Sequence, residues 1–173
     1  MNALILPGMS PRHQEWVRQV AAVMQAHCDE VRWVEYAHWL NGGEMDLEAE
    51  IMAANDKAVG LNDYVIIAKS IGTVMATLGI ARGTLSPTRC VFMGFPLKVT
   101  HDLPQADELA AALPGLPPTA FVHNQNDPIG SAEATREYIA VRAPADYEFI
   151  VTPGDTHTYV DFDQMVQLAL ARY

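Results

Sequence analysis

Residues 64–73 read Tyr-Val-Ile-Ile-Ala-Lys-Ser-Ile-Gly-Thr. Residues 64–68 form an uninterrupted apolar run, which is typical of a strand buried on both faces of a sheet. Apolar side chains then recur at helical spacing from Ile71 onward. The sequence therefore predicts a buried strand that passes directly into a helix, with Ser70 at the turn between them.

Five further short runs, rich in apolar, β-branched or aromatic residues, alternate with helical patterns along the chain. The runs are residues 3–6, 31–36, 90–94, 119–123 and 147–151. Helical patterns fill most of the intervals, including 131–142, and another closes the chain around Phe162. Strands that alternate with helices are typical of a parallel sheet covered on both faces. We therefore predict an α/β fold, a three-layer α/β/α sandwich around a mainly parallel sheet of about six strands.

The composition of the 173 residues favours one globular domain spanning residues 1–173. Half of the residues are hydrophobic, whereas 21 acidic and 11 basic residues give a net charge of −10. Such a chain lacks the clustered Lys and Arg that nucleic-acid phosphates and anionic lipids attract. We therefore expect a small-molecule substrate, no nucleic-acid or membrane partner, and a monomer or homodimer.

The two cysteines and the apolar segments indicate a cellular compartment. Cys28 and Cys90 belong to no CxxC or metal-ligand pattern, so we expect buried, reduced thiols. Residues 1–8 contain no basic leader, and no uncharged apolar stretch approaches the roughly 18 residues of a membrane span. These features predict a cytoplasmic protein.

Ser70 follows the strand at residues 64–68 and precedes the helix, which is the setting of a nucleophile elbow. A tight turn there brings backbones close together, and Gly72 meets the need for a small residue. The start of the helix also favours negative charge on a serine oxygen. Serine is equally a preferred helix N-cap, so this pattern alone leaves both interpretations open.

Asp127 and His157 lie in the loops after two later strands, at residues 119–123 and 147–151. Parallel strands present their carboxyl ends at one edge, so we expect both residues on the same edge as Ser70. Each has an ordinary alternative, namely an Asp-Pro turn for Asp127 and a loop histidine for His157. Their order along the chain, serine then acid then histidine, is that of a catalytic triad.

Four motifs together resemble a small, lidless α/β-hydrolase. They are residues 4–8, 68–72, 124–128 and 154–157, and the resemblance spans nearly the whole chain. It implies a minimal α/β-hydrolase fold without a cap domain. It also implies that Ser70 is the nucleophile, Asp127 the orienting acid and His157 the general base.

The resemblance further implies an oxyanion hole made of two backbone N–H groups. One belongs to Ile71, and the other comes from the first loop at Met9, with Ser10 as the alternative. The chain departs from the family at Ala68, where a glycine is usual, and at Pro7, where many members have histidine. Neither departure removes a catalytic side chain.

These expectations describe a serine hydrolase of the ester-hydrolase class that forms an acyl-enzyme and needs no cofactor. Thioesterase or acyl-transferase activity would use the same residues. A non-catalytic scaffold that binds a ligand or a protein is the alternative from another class. Residues 95–117 are too few for a helical cap, so we predict an open, shallow site.

Four further residues are candidates for lining the substrate site: Lys69, Ser10, His13 and His101. Lys69 adjoins the nucleophile and could meet an anionic substrate, although a salt bridge to the acidic surface is the more ordinary interpretation. His13 and His101 are equally explained as solvated surface histidines.

A metal site is not expected. His123, Asp127, Asp155 and His157 could approach one another, but no pair has HxxxH or HxH spacing. The triad already accounts for two of the four residues.

Overall fold

Six strands form a single sheet in the computed structural model, which describes residues 1–142 and 146–171. The strands are β1 (Asn2–Leu6), β2 (Val31–Trp33), β3 (Tyr64–Lys69), β4 (Arg89–Met93), β5 (Thr119–Asn124) and β6 (Tyr147–Thr152). All neighbouring strands are parallel, in the order β2-β1-β3-β4-β5-β6. The predicted α/β class and six-stranded sheet are confirmed, and every strand ends at the same edge.

Within residues 1–142 and 146–171, eight helices flank the sheet. They are α1 (His13–Met24), α2 (Ala37–Asn41), α3 (Leu47–Ala58), α4 (Ile71–Ala81), α5 (Leu97–Thr100), α6 (Ala106–Ala112), α7 (Ala132–Ala140) and α8 (Phe162–Leu170). One core packs α1 and α8 against side chains such as Ile5 and Ile67. The other packs α3, α4 and α6 against alternate side chains of the same strands, such as Leu4 and Ile66. This arrangement confirms the three-layer sandwich.

Burial differs between the inner and the outer strands. Strands β3, β4 and β5 are buried along their whole length, as their continuous apolar runs predicted. Strand β6 is an edge strand and is only half-buried, with Val151 exposed, because one of its sides has no neighbouring strand. The helices therefore cover this edge of the sheet less completely than its centre.

Some boundaries also differ from the prediction. The strand expected at residues 31–36 ends at Trp33, since the chain turns there towards α2. Helices α2 and α5 were not predicted, because five and four residues are too few to show helical periodicity. Residues 95–117 contain α5, α6 and a short 3₁₀ turn that pack on the core through Leu109 and Leu113.

No helix in the described part of the chain is long and apolar enough to cross a membrane. Cys28 and Cys90 are both free thiols. Cys90 is buried in β4 as expected, whereas Cys28 is partly exposed because it follows the end of α1.

Candidate active site

Ser70 occupies a strained turn between β3 and α4. Its backbone angles, φ 52° and ψ −124°, lie in a region that residues other than glycine rarely adopt. Its hydroxyl forms no capping hydrogen bond with the helix, so the role of a conventional N-cap is not realised. The turn is held by the backbone, because the Ser70 N–H donates to the Met93 carbonyl at 2.9 Å and the Ser70 carbonyl accepts from the Thr73 N–H at 2.9 Å.

Gly72 allows this turn to lie directly against the end of β1. A β-carbon on Gly72 would overlap the carbonyl oxygen of Leu6 and lie 2.8 Å from that of Pro7. The first turn of α4 therefore contacts the first loop, residues 7–10, without any intervening side chain. The prediction that residue 72 must be small is confirmed.

Asp127 and His157 form a direct hydrogen bond. Asp127 Oδ2 lies 2.7 Å from His157 Nδ1, and the aspartate side chain is 0% exposed, against 19% for the histidine. Asp127 Oδ1 accepts from the Ile129 N–H at 2.8 Å, which closes the Asp-Pro turn. Asp127 therefore closes the turn with Oδ1 and binds His157 with Oδ2.

Tyr159 is a further partner of the acid that sequence reasoning missed. Its hydroxyl donates to Asp127 Oδ2 at 2.6 Å and accepts from the Asn124 N–H at 3.1 Å. Burial alone would raise the pKa of Asp127, but hydrogen bonds from His157, Tyr159 and Ile129 outweigh it and lower the pKa overall. The carboxylate consequently stays ionised beside the histidine.

Asn124, the last residue of β5, holds the loop that carries His157. Its Nδ2 donates to the carbonyl oxygens of Thr156 and Thr158, at 2.9 Å each, on either side of the histidine. Its Oδ1 accepts from Thr152 Oγ1 at 2.7 Å. A polar residue at the end of a buried strand was the available signal, but the sequence did not indicate its partners.

The His157 ring lies over the end of β4, next to the serine turn. A β-carbon on Gly94 would lie 2.9 Å from His157 Cε1, and the adjacent Met93 carbonyl binds the Ser70 N–H. His157 Nε2 is buried and has no hydrogen-bond partner among residues 1–142 and 146–171. Serine–histidine hydrogen bonds are often long in unliganded active sites. The structure thus brings the turn with Ser70 and the Asp127–His157 pair to one edge of the sheet.

The candidate oxyanion donors are backbone N–H groups at this edge. One is in the first turn of α4, and the other is in the first loop. Ile71 is the first residue of α4, so its N–H has no helical acceptor four residues earlier. In the first loop, the carbonyl of the exposed Met9 accepts from His38 Nε2 at 2.8 Å and from Trp39 Nε1 at 2.7 Å. Helix α2 therefore holds the loop that contains both Met9 and Ser10.

Lys69 does not reach the acidic surface. It is 3% exposed, and its Nζ lies 2.8 Å from His13 Nε2 and 5.8 Å from the centre of the Trp16 ring. Burial lowers the pKa of Lys69 to about 8, and burial together with the lysine charge lowers the pKa of His13 to about 4. The surface salt bridge considered for Lys69 is wrong, because this residue is the last of an inner strand.

Two of the remaining candidates line open grooves, and the third packs against the first loop. His101 is exposed and lines a groove of about 470 Å³ together with Leu97 and Asp127. Ser10 lines another groove, of about 620 Å³, with Met9 and Met45. His13 is half-buried against Gly8, and a β-carbon there would lie 2.6 Å from His13 Nδ1.

His123 is buried and takes no part in the hydrogen bonds between the triad candidates. Its Nε2 donates to the Gly130 carbonyl at 2.7 Å, and burial lowers its pKa. Among residues 1–142 and 146–171, no group of three or more His, Cys, Asp or Glu side chains could hold a metal ion.

Solved structures provide the comparisons with known proteins; no family model and no curated protein sequence matches the chain. Alpha/beta hydrolase domain-containing protein 10 from mouse is 12% identical, with a TM-score of 0.73 over 95% of this chain and 86% of that one. An alpha-beta serine hydrolase homologue from Coxiella burnetii is 15% identical, with a TM-score of 0.70 over 98% and 83%. A cold-adapted esterase from an Arctic intertidal metagenomic library is 15% identical, with a TM-score of 0.70 over 97% and 82%. At these identities the likeness is one of fold.

Proposed function

Since the chain has the α/β-hydrolase fold, we propose that it is a serine hydrolase with Ser70 as nucleophile, His157 as general base and Asp127 as orienting acid. The observation that carries the proposal is the partly buried Asp127–His157 hydrogen bond beside a serine in a strained strand-to-helix turn. A non-glycine residue held at positive φ is costly, and such strain concentrates at functional sites.

In the first half of the reaction, His157 Nε2 takes the proton of the Ser70 hydroxyl while the oxygen attacks the substrate carbonyl. The negative charge on the resulting tetrahedral oxygen is bound by the N–H groups of Ile71 and of the first loop, at Met9 or Ser10. Each such donor is worth about 3–4 kcal/mol of transition-state stabilisation. The leaving group then departs with the proton from His157 and leaves Ser70 acylated.

In the second half, a water molecule enters the position that the leaving group has vacated, and His157 takes a proton from this water. Attack of the water oxygen on the acyl carbon, followed by return of the proton to Ser70, releases the acid and restores the enzyme. Asp127 binds the Nδ1 proton of His157 throughout, and Tyr159 supports the ionised carboxylate. Asn124 keeps the histidine loop in place.

Small carboxylic esters are the proposed substrates, which the esterase and hydrolase neighbours support. Thioesters and acyl transfer need the same residues, so an ester, thioester and amide panel distinguishes them. We further propose that residues 1–173 act as one cytoplasmic domain, monomeric or homodimeric, without a cofactor. The acidic composition and the two free thiols support this setting.

Labelling by a fluorophosphonate probe tests the assignment. The wild-type protein should be labelled at one serine, and Ser70→Ala should lose the label. Ser86→Ala is the matched control, because Ser86 is exposed in the loop before β4 and should leave labelling intact. Equal labelling of the Ser70→Ala variant would falsify the nucleophile assignment.

A non-catalytic scaffold is the competing function, because His157 Nε2 has no hydrogen-bond partner in the described part of the chain. Hydrolysis of p-nitrophenyl acetate separates the two. Turnover that Ser70→Ala abolishes supports the hydrolase. Absence of both turnover and labelling in the folded wild-type protein supports the scaffold.

A further inference from the structure

A buried lysine immediately precedes the proposed nucleophile. Lys69 is 3% exposed, and its Nζ forms its hydrogen bond with the His13 imidazole, 2.8 Å away, instead of with a carboxylate. Burying an ammonium group without a close counter-charge is unfavourable. A buried apolar side chain would suit an inner strand better, so Lys69 does not serve the stability of the sheet.

The lysine joins two segments that are far apart in sequence. Lys69 ends β3 at the serine turn, whereas His13 begins α1 just after the first loop. The His13 ring packs on Gly8 so closely that a β-carbon there would lie 2.6 Å from Nδ1. The His13 N–H also donates to the Ser10 carbonyl at 2.9 Å. The Lys69–His13 hydrogen bond therefore connects the serine turn to the first loop.

These two segments supply the two sides of the proposed oxyanion hole. Ile71 contributes its N–H from the serine turn, and Met9 or Ser10 contributes one from the first loop. Oxyanion stabilisation depends on donors held about 2.7–3.1 Å from the developing charge. A displacement of either segment would separate the donors and weaken the transition state more than the bound substrate.

We infer that Lys69 and His13 are positioning residues, which hold the first loop against the serine turn and so set the spacing of the oxyanion-binding N–H groups. The inference rests on the proposed hydrolase function for its catalytic consequence. It replaces the expectation that either side chain lines the substrate site.

The protonation states of Lys69 and His13 define the pH range over which their hydrogen bond is strong. A lysine ammonium only donates, so His13 Nε2 accepts and the proton of the neutral ring is on Nδ1. With the pKa of His13 at about 4 and that of Lys69 at about 8, this arrangement prevails between those pH values. The other titratable groups that act on the pair are Asp127, which acts on the lysine, and His157, which acts on the histidine. Above pH 8 the lysine becomes a weaker, neutral donor.

Kinetics of Lys69→Met test the catalytic consequence, with Lys57→Met as the matched control at an exposed position on α3. We expect kcat for p-nitrophenyl acetate to fall about tenfold or more while KM changes less than about twofold, since the lost positioning acts in the transition state. The wild-type kcat should decline above pH 8, and that decline should be absent in Lys69→Met. Lys57→Met should match the wild type.

His13→Phe provides a second route, because phenylalanine keeps a ring against Gly8 but cannot accept the lysine proton. It should reproduce the loss in kcat, and the double variant should be no slower than either single variant. Multiplicative losses in the double variant, or an unchanged kcat in Lys69→Met, would overturn the inference.

Amide chemical shifts provide a readout that does not depend on catalysis. In ¹H–¹⁵N spectra, Lys69→Met should move the resonances of Gly8, Met9 and Ser10, and Lys57→Met should not. Unmoved first-loop resonances refute the positioning role even if the protein is no hydrolase. Moved resonances in a protein without Ser70-dependent turnover refute the proposed function and leave the structural link standing.

Discussion

Replacing Lys69 with methionine should make the protein more stable at neutral pH while it lowers activity. In the folded protein Lys69 loses its proton at about pH 8, because burial disfavours the ammonium, whereas its ordinary pKa is 10.5. Between these two values the unfolded chain holds more protons than the folded one. The free energy of unfolding of the wild type therefore rises with pH across this interval, and the cost of burying the charge is complete below pH 8.

The magnitude follows from the width of that interval. At about 1.4 kcal/mol for each pH unit, the interval from pH 8 to 10.5 corresponds to about 3.5 kcal/mol, of which about 3 kcal/mol applies at pH 7.5, close to the pKa of the folded state. Loss of the hydrogen bond to His13 destabilises the variant by about 1 kcal/mol and offsets that part of the gain in unfolding free energy. Lys69→Met should then be about 2 kcal/mol more stable than the wild type at pH 7.5, and most of the advantage should vanish by pH 10.

Urea unfolding of both proteins, followed by tryptophan fluorescence at pH 7.5 and pH 10, measures the difference directly. Groups other than Lys69 titrate in both proteins and cancel when the two unfolding free energies are subtracted. Lys57→Met should show no pH-dependent difference from the wild type. A difference that stays constant between the two pH values, or a variant less stable than the wild type at pH 7.5, would refute the reasoning.

Three other substitutions probe the supports of the site. Tyr159→Phe removes a hydrogen bond that lowers the pKa of Asp127, so the loss of stability on acidification should begin at higher pH than in the wild type; an unmoved acid transition in urea unfolding contradicts this role. Asn124→Ala frees the histidine loop and should cost about 2–3 kcal/mol in urea unfolding together with a lower kcat. Gly72→Ala should cost about 3 kcal/mol in thermal unfolding, because its β-carbon overlaps the last carbonyl of β1. Gly115→Ala, whose β-carbon meets nothing within 4 Å, is its control and should be neutral.

The fold was accessible from the sequence because buried strands and amphipathic helices have local signatures. The runs that became β1, β3 and β4 are apolar throughout, the run that became β5 is apolar at its centre, and the sheet buries both faces of these strands. Where tertiary contacts set an element's limits, the sequence was a poor guide. Helix α2 is only five residues long, and β2 stops where the chain turns towards that helix.

The candidate catalytic residues were predictable for a related reason. Ser70, Asp127 and His157 each follow the end of a strand, and parallel strands place all such positions at one edge. What each side chain does there was not predictable from its position alone. The strained conformation of Ser70 became clear only in the structure, as did the division of the two Asp127 oxygens between the turn and His157.

The partners of the polar side chains were decided by tertiary structure alone. Lys69 looked like a surface residue because its neighbours in sequence do not show that α1 places His13 over it. Tyr159 and Asn124 lie in or beside the two loops that carry Asp127 and His157, but the hydrogen bonds they make across these loops became clear only in the structure. Hydrophobic periodicity is local and determines which segments become strands or helices. The partner of a buried polar group instead depends on which distant segments the packed sheet brings together, and only the folded chain specifies that.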